Sequence, residues 1–456
     1  MMINTPQKSL PAVLCSIALF LVIPCVSRAQ DTSVVRKNPE AVPDSAYFVD
    51  RILVSGNSLT KDFVVLREMT LKPGSVITHQ ALDFDRDRIY SLGLFTQVEL
   101  HIIPSSPPKA SILVIVSERW YIYPYPILGI KDRDWEKLFY GAGIVHLNFR
   151  GRNEKLVASF IFGYDPGFSV SYRNPFLSEE GIYFFEGRVG SNKVRNRSLL
   201  VLPSPDVNFD ERHITASLTL GRRYGIEHTA WLTLGYEYVG LTTYFPGSTI
   251  SPSGEDMFPV IGAGYVYDTR DLQEYPGRGS YLRAAVTKSG ITAGSARVNT
   301  VRYNADGRRF IPLASNTVLG ARMLTDFTAA GPAPSYQRVF FGYNERIRGH
   351  FRDVIEGENI FCISAELHYM IVPTRYLSVG KLPSEFGIWK FGAAAALFAD
   401  AGTIWFRGRP VALDGFLKGY GAGVHFLLPY SFVLRAEYAL NEARQGEFIL
   451  DLGSWF

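Results

Sequence analysis

From Trp120 to Phe456 the chain reads as sixteen consecutive strand-like segments, and no helical period is sustained between them. They are 120–131, 138–149, 154–164, 167–175, 181–192, 211–222, 228–241, 257–269, 279–289, 296–311, 316–328, 358–372, 387–405, 419–428, 431–441 and 446–456. Most are close to the roughly 9–11 residues that cross a bilayer at a tilt. The last segment places Phe448, Leu450, Leu452 and Phe456 on one face and Asp451 and Gly453 on the other. Such alternation makes a strand with one apolar and one polar face. A final strand leaves an unpaired edge, a liability that a sheet removes by closing on itself. The expectation is therefore a 16-stranded antiparallel transmembrane β-barrel spanning 120–456, closed at rest where 446–456 meets 120–131. The even count suits a bacterial outer membrane.

Connection lengths alternate, which supports the same reading. Links after even strands are mostly short, such as Arg150–Asn153 and Pro429-Tyr430; those after odd strands include Ser191–Asp210, Thr242–Asp256, Ala329–Gly357 and Phe406–Lys418. Short periplasmic turns and long outer loops put both barrel ends in the periplasm. The link from Pro373 to Phe386 does not fit this alternation. Aromatics at 14%, charged residues at only 20%, 41 Gly and 25 Tyr suit many strands with interfacial aromatic girdles. A large soluble β-sandwich or propeller would leave the terminal aromatic unexplained. The net charge of +4, with no basic stripe, argues against a nucleic-acid partner.

The N-terminus reads as a signal peptide over 1–29. Lys8 precedes a nearly unbroken apolar run from Leu10 to Val26, and Ser27-Arg28-Ala29 places small residues for cleavage after Ala29. A lipid anchor at Cys25 is disfavoured by Val22-Ile23-Pro24. Loss of this segment removes Cys15 and Cys25 and leaves Cys362 alone, so no intrachain disulfide is expected. Residues 30–45 form a polar linker with Pro39 and Pro43. Residues 46–119 then read β-α-α-β-β. Thr60 is placed to cap a first helix carrying Phe63, Leu66 and Met69, a second runs from about Thr78 to Leu92 and stops at Gly93, and Val98, Leu100 and Ile102 alternate before a buried strand from Ile112 to Val116. A unit of this size can hold a small core of its own.

Chemistry is sparse. The clusters Gly141-Ala142-Gly143, Gly262-Ala263-Gly264 and Gly419-Tyr420-Gly421-Ala422-Gly423 lie inside strands rather than between a strand and a helix, so they cradle no phosphate and instead thin the wall for close approach of another segment. There is no G-x-S-x-G and no H-E-x-x-H, and the eight histidines are scattered. No catalytic, cofactor-binding or metal-ligating set is expected; an outer-membrane hydrolase stays as a weak alternative. One constellation stands out. The longest loop contains Phe340-Phe341-Gly342-Tyr343-Asn344-Glu345-Arg346-Ile347-Arg348-Gly349-His350-Phe351. A loop arginine is ordinarily a solvated charge. Here the next two strands each carry an inward carboxylate, Glu366 opposite the Phe361, Ile363, Ala365 and Leu367 face, and Asp400 opposite the Leu397 and Ala399 face. A loop folded into the lumen places Arg348 against both, in pairs stronger than surface ones.

These residues carry a resemblance. The chain resembles the BamA/TamA family of outer-membrane assembly and translocation barrels, in which periplasmic POTRA modules precede a sixteen-stranded barrel. Residues 46–119 look like one POTRA domain, including Gly56-Asn57 and Gly93-Leu94-Phe95; Asp268-Thr269-Arg270-Asp271 followed by Pro276-Gly277-Arg278-Gly279 is similar to a family barrel motif. Ile347-Arg348-Gly349 matches the family's inward-folded loop, and Glu366 and Asp400-Ala401-Gly402 sit where its lumenal acids belong. The resemblance implies a bacterial outer-membrane location, with the POTRA domain in the periplasm. It implies insertion of β-barrel proteins or polypeptide translocation, unfolded outer-membrane or secreted clients, periplasmic chaperones or assembly lipoproteins as partners, and no bond-making chemistry. A dedicated secretion pore for one partner and a passive channel remain alternatives. It also implies a lumenal lock of Arg348, Gly349, Glu366 and Asp400, and a C-terminal signal and seam strand of Phe448, Leu450, Leu452, Gly453 and Phe456. His350 departs from the family's aromatic residue, and only one POTRA module precedes the barrel.

Overall fold

The computed structural model describes residues 47–130, 138–177, 181–204, 207–291, 297–343, 345–351, 353–378, 387–409, 411 and 415–453. The expected signal peptide, the linker and Phe456 lie outside these residues. Among the described residues, no helix is long and apolar enough to cross a membrane.

The N-terminal module is β1 (Phe48–Ser55), α1 (Asp62–Leu66), α2 (His79–Ser91), β2 (Phe95–Pro104) and β3 (Lys109–Glu118). Its sheet has the order β1-β3-β2, with β1 parallel and β2 antiparallel to β3. The Thr78 hydroxyl caps α2 by accepting from the Ala81 amide at 3.1 Å, and Gly93 ends the helix region at a positive φ of 70°. Thr60 does not cap α1: its hydroxyl is taken by Tyr121 and by Asn148 Nδ2, both at 2.9 Å, so it ties the module to the barrel instead. Val64, Val65, Met69, Ile89, Leu94, Ile112 and Val114 form the core, and Phe176 from a barrel turn completes it.

The large sheet holds sixteen antiparallel strands. They are β4 (Ile122–Ile130), β5 (Leu138–Phe149), β6 (Glu154–Gly163), β7 (Gly167–Asn174), β8 (Tyr183–Arg195), β9 (Asp210–Tyr224), β10 (His228–Leu241), β11 (Glu255–Asp268), β12 (Gly279–Ser289), β13 (Thr300–Ala314) and β14 (Thr317–Ala330), then β17 (Asn359–Ser378), β18 (Ile388–Trp405), β19 (Leu417–Leu428), β20 (Phe432–Asn441) and β21 (Gly446–Gly453). Between β14 and β17 a small hairpin, β15 (Val339–Phe341) with β16 (Ile355–Gly357), shapes the long loop. Alternation assigns the faces: Leu218, Leu220, Leu232 and Leu234 are exposed outward, as a lipid-facing belt requires. The inner faces pack across the barrel, with Phe310 of β13, Leu427 of β19 and Val433 of β20 in one cluster with Tyr275.

The seam differs from expectation. Sheet order runs from β21 round to β4, and among the described residues no ladder joins these two. Their surroundings are nonetheless adjacent, since Arg119, just before β4, lies 4.6 Å over the ring of Tyr430 in the β19–β20 turn. The sequence supplies a reason for the missing pairing. Pro124 and Pro126 sit two apart in β4, and the ladder to β5 runs through both. A proline donates nothing to a ladder and is tolerated at a sheet edge, so both missing donors fall on the edge turned away from β5.

Of the anomalous link, residues 373–378 belong to β17 and residues 379–386 lie outside the described ones. β17 and β18, at 20 and 18 residues, are longer than a crossing needs. The start of β18 meets α2, where Lys390 lies 4.6 Å over the Tyr90 ring and pairs with Glu274.

Candidate functional site

The loop between β14 and β17 turns into the lumen. Phe341 and Ile347 of the loop pack with Leu324, Ile360 and Cys362 of the inner wall. Glycines make the close approach possible: a Cβ on Gly419 of β19 would stand 1.5 Å from the Arg348 carbonyl oxygen. Gly349 has a φ of 97°, which a side chain resists, so Gly is required directly after Arg348. At Gly143 and Gly264 the approach is of another kind, since each is covered by a neighbouring strand's aromatic, Tyr125 or Trp231.

Arg348 is the centre of the site. Its Nε and Nη2 donate to the two oxygens of Asp400 at 2.7 and 2.8 Å, a bidentate fork, and its backbone amide donates to Asp400 Oδ2 at 3.2 Å. Nη1 donates to Glu366 Oε2 at 2.5 Å and to Glu437 Oε1 at 3.1 Å. The guanidinium carbon lies 3.7 Å from the centroid of the Phe398 ring. The structure thus brings Arg348, Glu366 and Asp400 together. It adds two acids absent from the sequence reading. Glu437 lies on β20, opposite the outward Tyr438. Glu447 lies on β21, and its Oε1 accepts from the amides of Gly349 and Phe351, both at 2.8 Å. Strand parity turns both inward, as it does Glu366, each lying next to an outward aromatic, Tyr438 or Phe448. Earlier in the loop, Glu345 pairs with Arg322 of β14 at 3.2 Å.

Of the terminal-strand residues, Phe448 and Leu450 are outward and exposed, whereas Leu452, at the same parity, is buried at 8%. Gly453 is the last described residue of β21 and pairs with Val433. The terminal strand therefore presents apolar side chains outside and grips the loop tip inside.

His350 replaces the expected aromatic with a polar tether. Its Nδ1 is 2.7 Å from Asp353 Oδ2 and its Nε2 is 2.8 Å from Glu442 Oε2. Burial opposes protonation, but these two carboxylates outweigh it and raise the imidazole pKa above its ordinary value. A raised folded value means the tether contributes fully below the unfolded pKa of about 6.5 and is lost as pH rises through the folded value. Hydrogen exchange of residues 347–351 should accelerate as pH rises through that range, after correction for intrinsic exchange. His350→Phe should remove this added pH dependence; an unchanged profile in the variant would assign it to another group.

A second polar set closes the lumen from the periplasmic side. The β11–β12 connection folds inward, and Tyr275 stacks on His368 with ring centroids 4.6 Å apart while its hydroxyl meets His425 Nδ1 at 3.2 Å. Its neighbour Glu274 pairs with Lys390. The same connection carries Asp271, which accepts from the amides of Leu272 at 2.8 Å and Gly277 at 2.9 Å, so the Asp268–Gly279 motif builds a rigid inward turn. The N-terminal module covers this end: Glu68 accepts from Arg88 of α2 and from Arg223 at the end of β9, both at 2.9 Å.

Comparison with known proteins agrees with this architecture. Residues 148–456 match the Omp85 superfamily domain, and residues 47–119 match the POTRA family described as surface antigen variable number repeat. Outer membrane protein assembly factor BamA of Nitratidesulfovibrio vulgaris is 23% identical over 338 residues, covering 70% of this chain but 39% of that protein. Among solved structures, CdiB from Escherichia coli superposes with a TM-score of 0.52 at 11% identity and covers 93% of each chain, a likeness of fold. BamA from Haemophilus ducreyi lacking POTRA domains 1–3 gives a TM-score of 0.49 at 18% identity, covering 90% of this chain and 85% of that one. With a sixteen-stranded sheet, a lumenal loop on Arg348 and a POTRA module, the chain belongs to the Omp85 superfamily, an outer-membrane barrel with its POTRA domain in the periplasm.

Proposed function

We propose that this chain inserts β-barrel proteins into the outer membrane or passes polypeptide across it, by opening between β4 and β21. The observation that carries this reading is that, among the described residues, β4 pairs with β5 alone and its other edge, short of two donors at Pro124 and Pro126, faces β21 without a ladder. The two prolines leave fewer donors to hold β21 there, so closure of the seam is weak and the remaining N–H groups of β4 stay within reach of an incoming strand. A client strand entering there satisfies its backbone groups as it meets lipid, which hydrocarbon demands. The outward Phe448 and Leu450 keep the opposite lip apolar. In the POTRA sheet, the start of β1 is already bonded on its outer side, where Tyr47 and Val49 meet the amide and carbonyl groups of Gly74–Ile77, so β2 is the edge that takes an extended client by strand addition. The Arg348 network holds the loop that braces the lumen, and this loop with Tyr275 fills space that a passive channel would leave open.

The test is a disulfide across the seam. With Cys362 replaced by alanine, single cysteines are introduced in β4 and β21 and oxidised in cells. The expected result is a broad fall in outer-membrane β-barrel proteins by quantitative proteomics, reversed by reductant. Loss of one secreted protein alone would mark a dedicated secretion pore. A complete tether that leaves both the proteome and secretion unchanged rules out lateral opening.

A further inference from the structure

Directly periplasmic of the Arg348 fork, two imidazoles and a carboxylate converge from different strands. Donor atoms of Glu366 and His368 on β17 and His425 on β19 all lie within 4.8 Å of one another, and all three residues are buried. His368 Nε2 contacts Glu366 Oε1, and His425 Nδ1 lies 3.8 Å from the same oxygen. Charge at this position is unbalanced. Among the described residues Arg348 bonds to three buried carboxylates, Glu366, Asp400 and Glu437, while Arg435, which also faces Glu437, is paired with a fourth carboxylate, Asp451. Two guanidiniums against four carboxylates leave two formal negative charges, centred on the buried three. Such charge is costly unless a cation or bound protons compensate it.

We propose that Glu366, His368 and His425 bind one divalent transition-metal ion of the zinc class, with Glu366 shared between that ion and Arg348. Two imidazoles and a carboxylate make a three-ligand zinc set, whereas calcium and magnesium favour oxygen donors. The carboxylate divides naturally: Oε2 is held by Arg348 at 2.5 Å, and Oε1 faces the imidazoles. The surroundings supply the outer support that ligating histidines require. His425 Nε2 lies 3.1 Å from Glu437 Oε1, which orients the ring so that Nδ1 faces the site. The Tyr275 hydroxyl, 3.2 Å from that Nδ1, stands beside the fourth position. The ion neutralises the excess charge and fastens β17 to β19 beneath the loop. This inference does not depend on the proposed handling of clients.

Because the donors are buried, the ion must be supplied as the barrel forms. The full mature chain is folded into detergent micelles with Zn²⁺ present, dialysed against metal-free buffer, and its zinc measured by mass spectrometry on the heat-modifiable fraction. The expected content is about one ion per chain. His368→Ala and His425→Ala should each reduce it at least about tenfold, the scale of losing a metal ligand or its support, while His213→Ala, at a different buried histidine, keeps it. If the two variants fail to fold, Co²⁺ in the unmodified chain decides, through the visible bands of a four-coordinate nitrogen and oxygen site. Folded wild-type protein without zinc and without those bands overturns the proposal and leaves protonated histidines to balance the charge. Zinc retained in both histidine variants overturns it equally.

Discussion

Arg348→Ala should destabilise the barrel by about 3–5 kcal/mol, the scale of removing one partner from a buried ion pair. Three buried carboxylates would lose the guanidinium they share, and the loop would lose its fork on Asp400 and its bonds to Glu366 and Glu437. The energy greatly exceeds that of an exposed pair, because Glu366, Asp400 and Glu437 are all buried. Arg348→Lys should recover part of the loss: it restores the charge but not the planar two-pronged contact. The measurement is the fraction of protein running at folded mobility without heating, alongside the levels of other outer-membrane barrels. Both should fall in the order wild type, lysine, alanine. Folding and levels that match wild type in the alanine variant would show that the loop is held by its apolar contacts alone.

The barrel was legible because a wall between lipid and a packed lumen imposes period two on every strand, and a one-residue error would invert each face. That same parity exposed Glu366 and Asp400. It held equally for Glu437 and Glu447, but these lie on strands where a single inward acid resembles an ordinary polar position. What distinguishes them is the loop tip, and no sequence period reports where a loop comes to rest. Gly419 was legible as a thinned wall, without the identity of the carbonyl that fills it. The prolines of β4 were visible, yet their meaning required knowing which edge was already paired. The joint between the module and the barrel was not legible at all. Glu68 and Arg223 are 155 positions apart, and Arg88 and Ile226 are 138 apart. Neither pair belongs to a repeating pattern; each is fixed by how two independently patterned units meet.

That joint gives the second large effect. Glu68→Ala should loosen the POTRA module from the barrel mouth. Burial alone would raise the Glu68 carboxyl pKa, but Arg223 and Arg88 outweigh it and hold it below the usual range. A depressed folded value means this contribution is complete above the unfolded pKa of about 4.3 and is lost as pH falls through the folded one, so docking through Glu68 is constant near neutrality. Removing the carboxylate leaves two guanidiniums facing each other, Arg88 buried and Arg223 nearly so. A loss of about 3 kcal/mol corresponds to roughly a hundredfold rise in the undocked population. Hydrogen exchange should reveal it at the Ile226 turn, which receives Arg88, and at the start of β18, where Lys390 meets Tyr90. Glu68→Gln should behave like the alanine variant despite its similar size, because it supplies no compensating charge. A glutamine variant with native protection would place the docking energy in the Phe176 plug and the Thr60–Tyr121–Asn148 bonds instead.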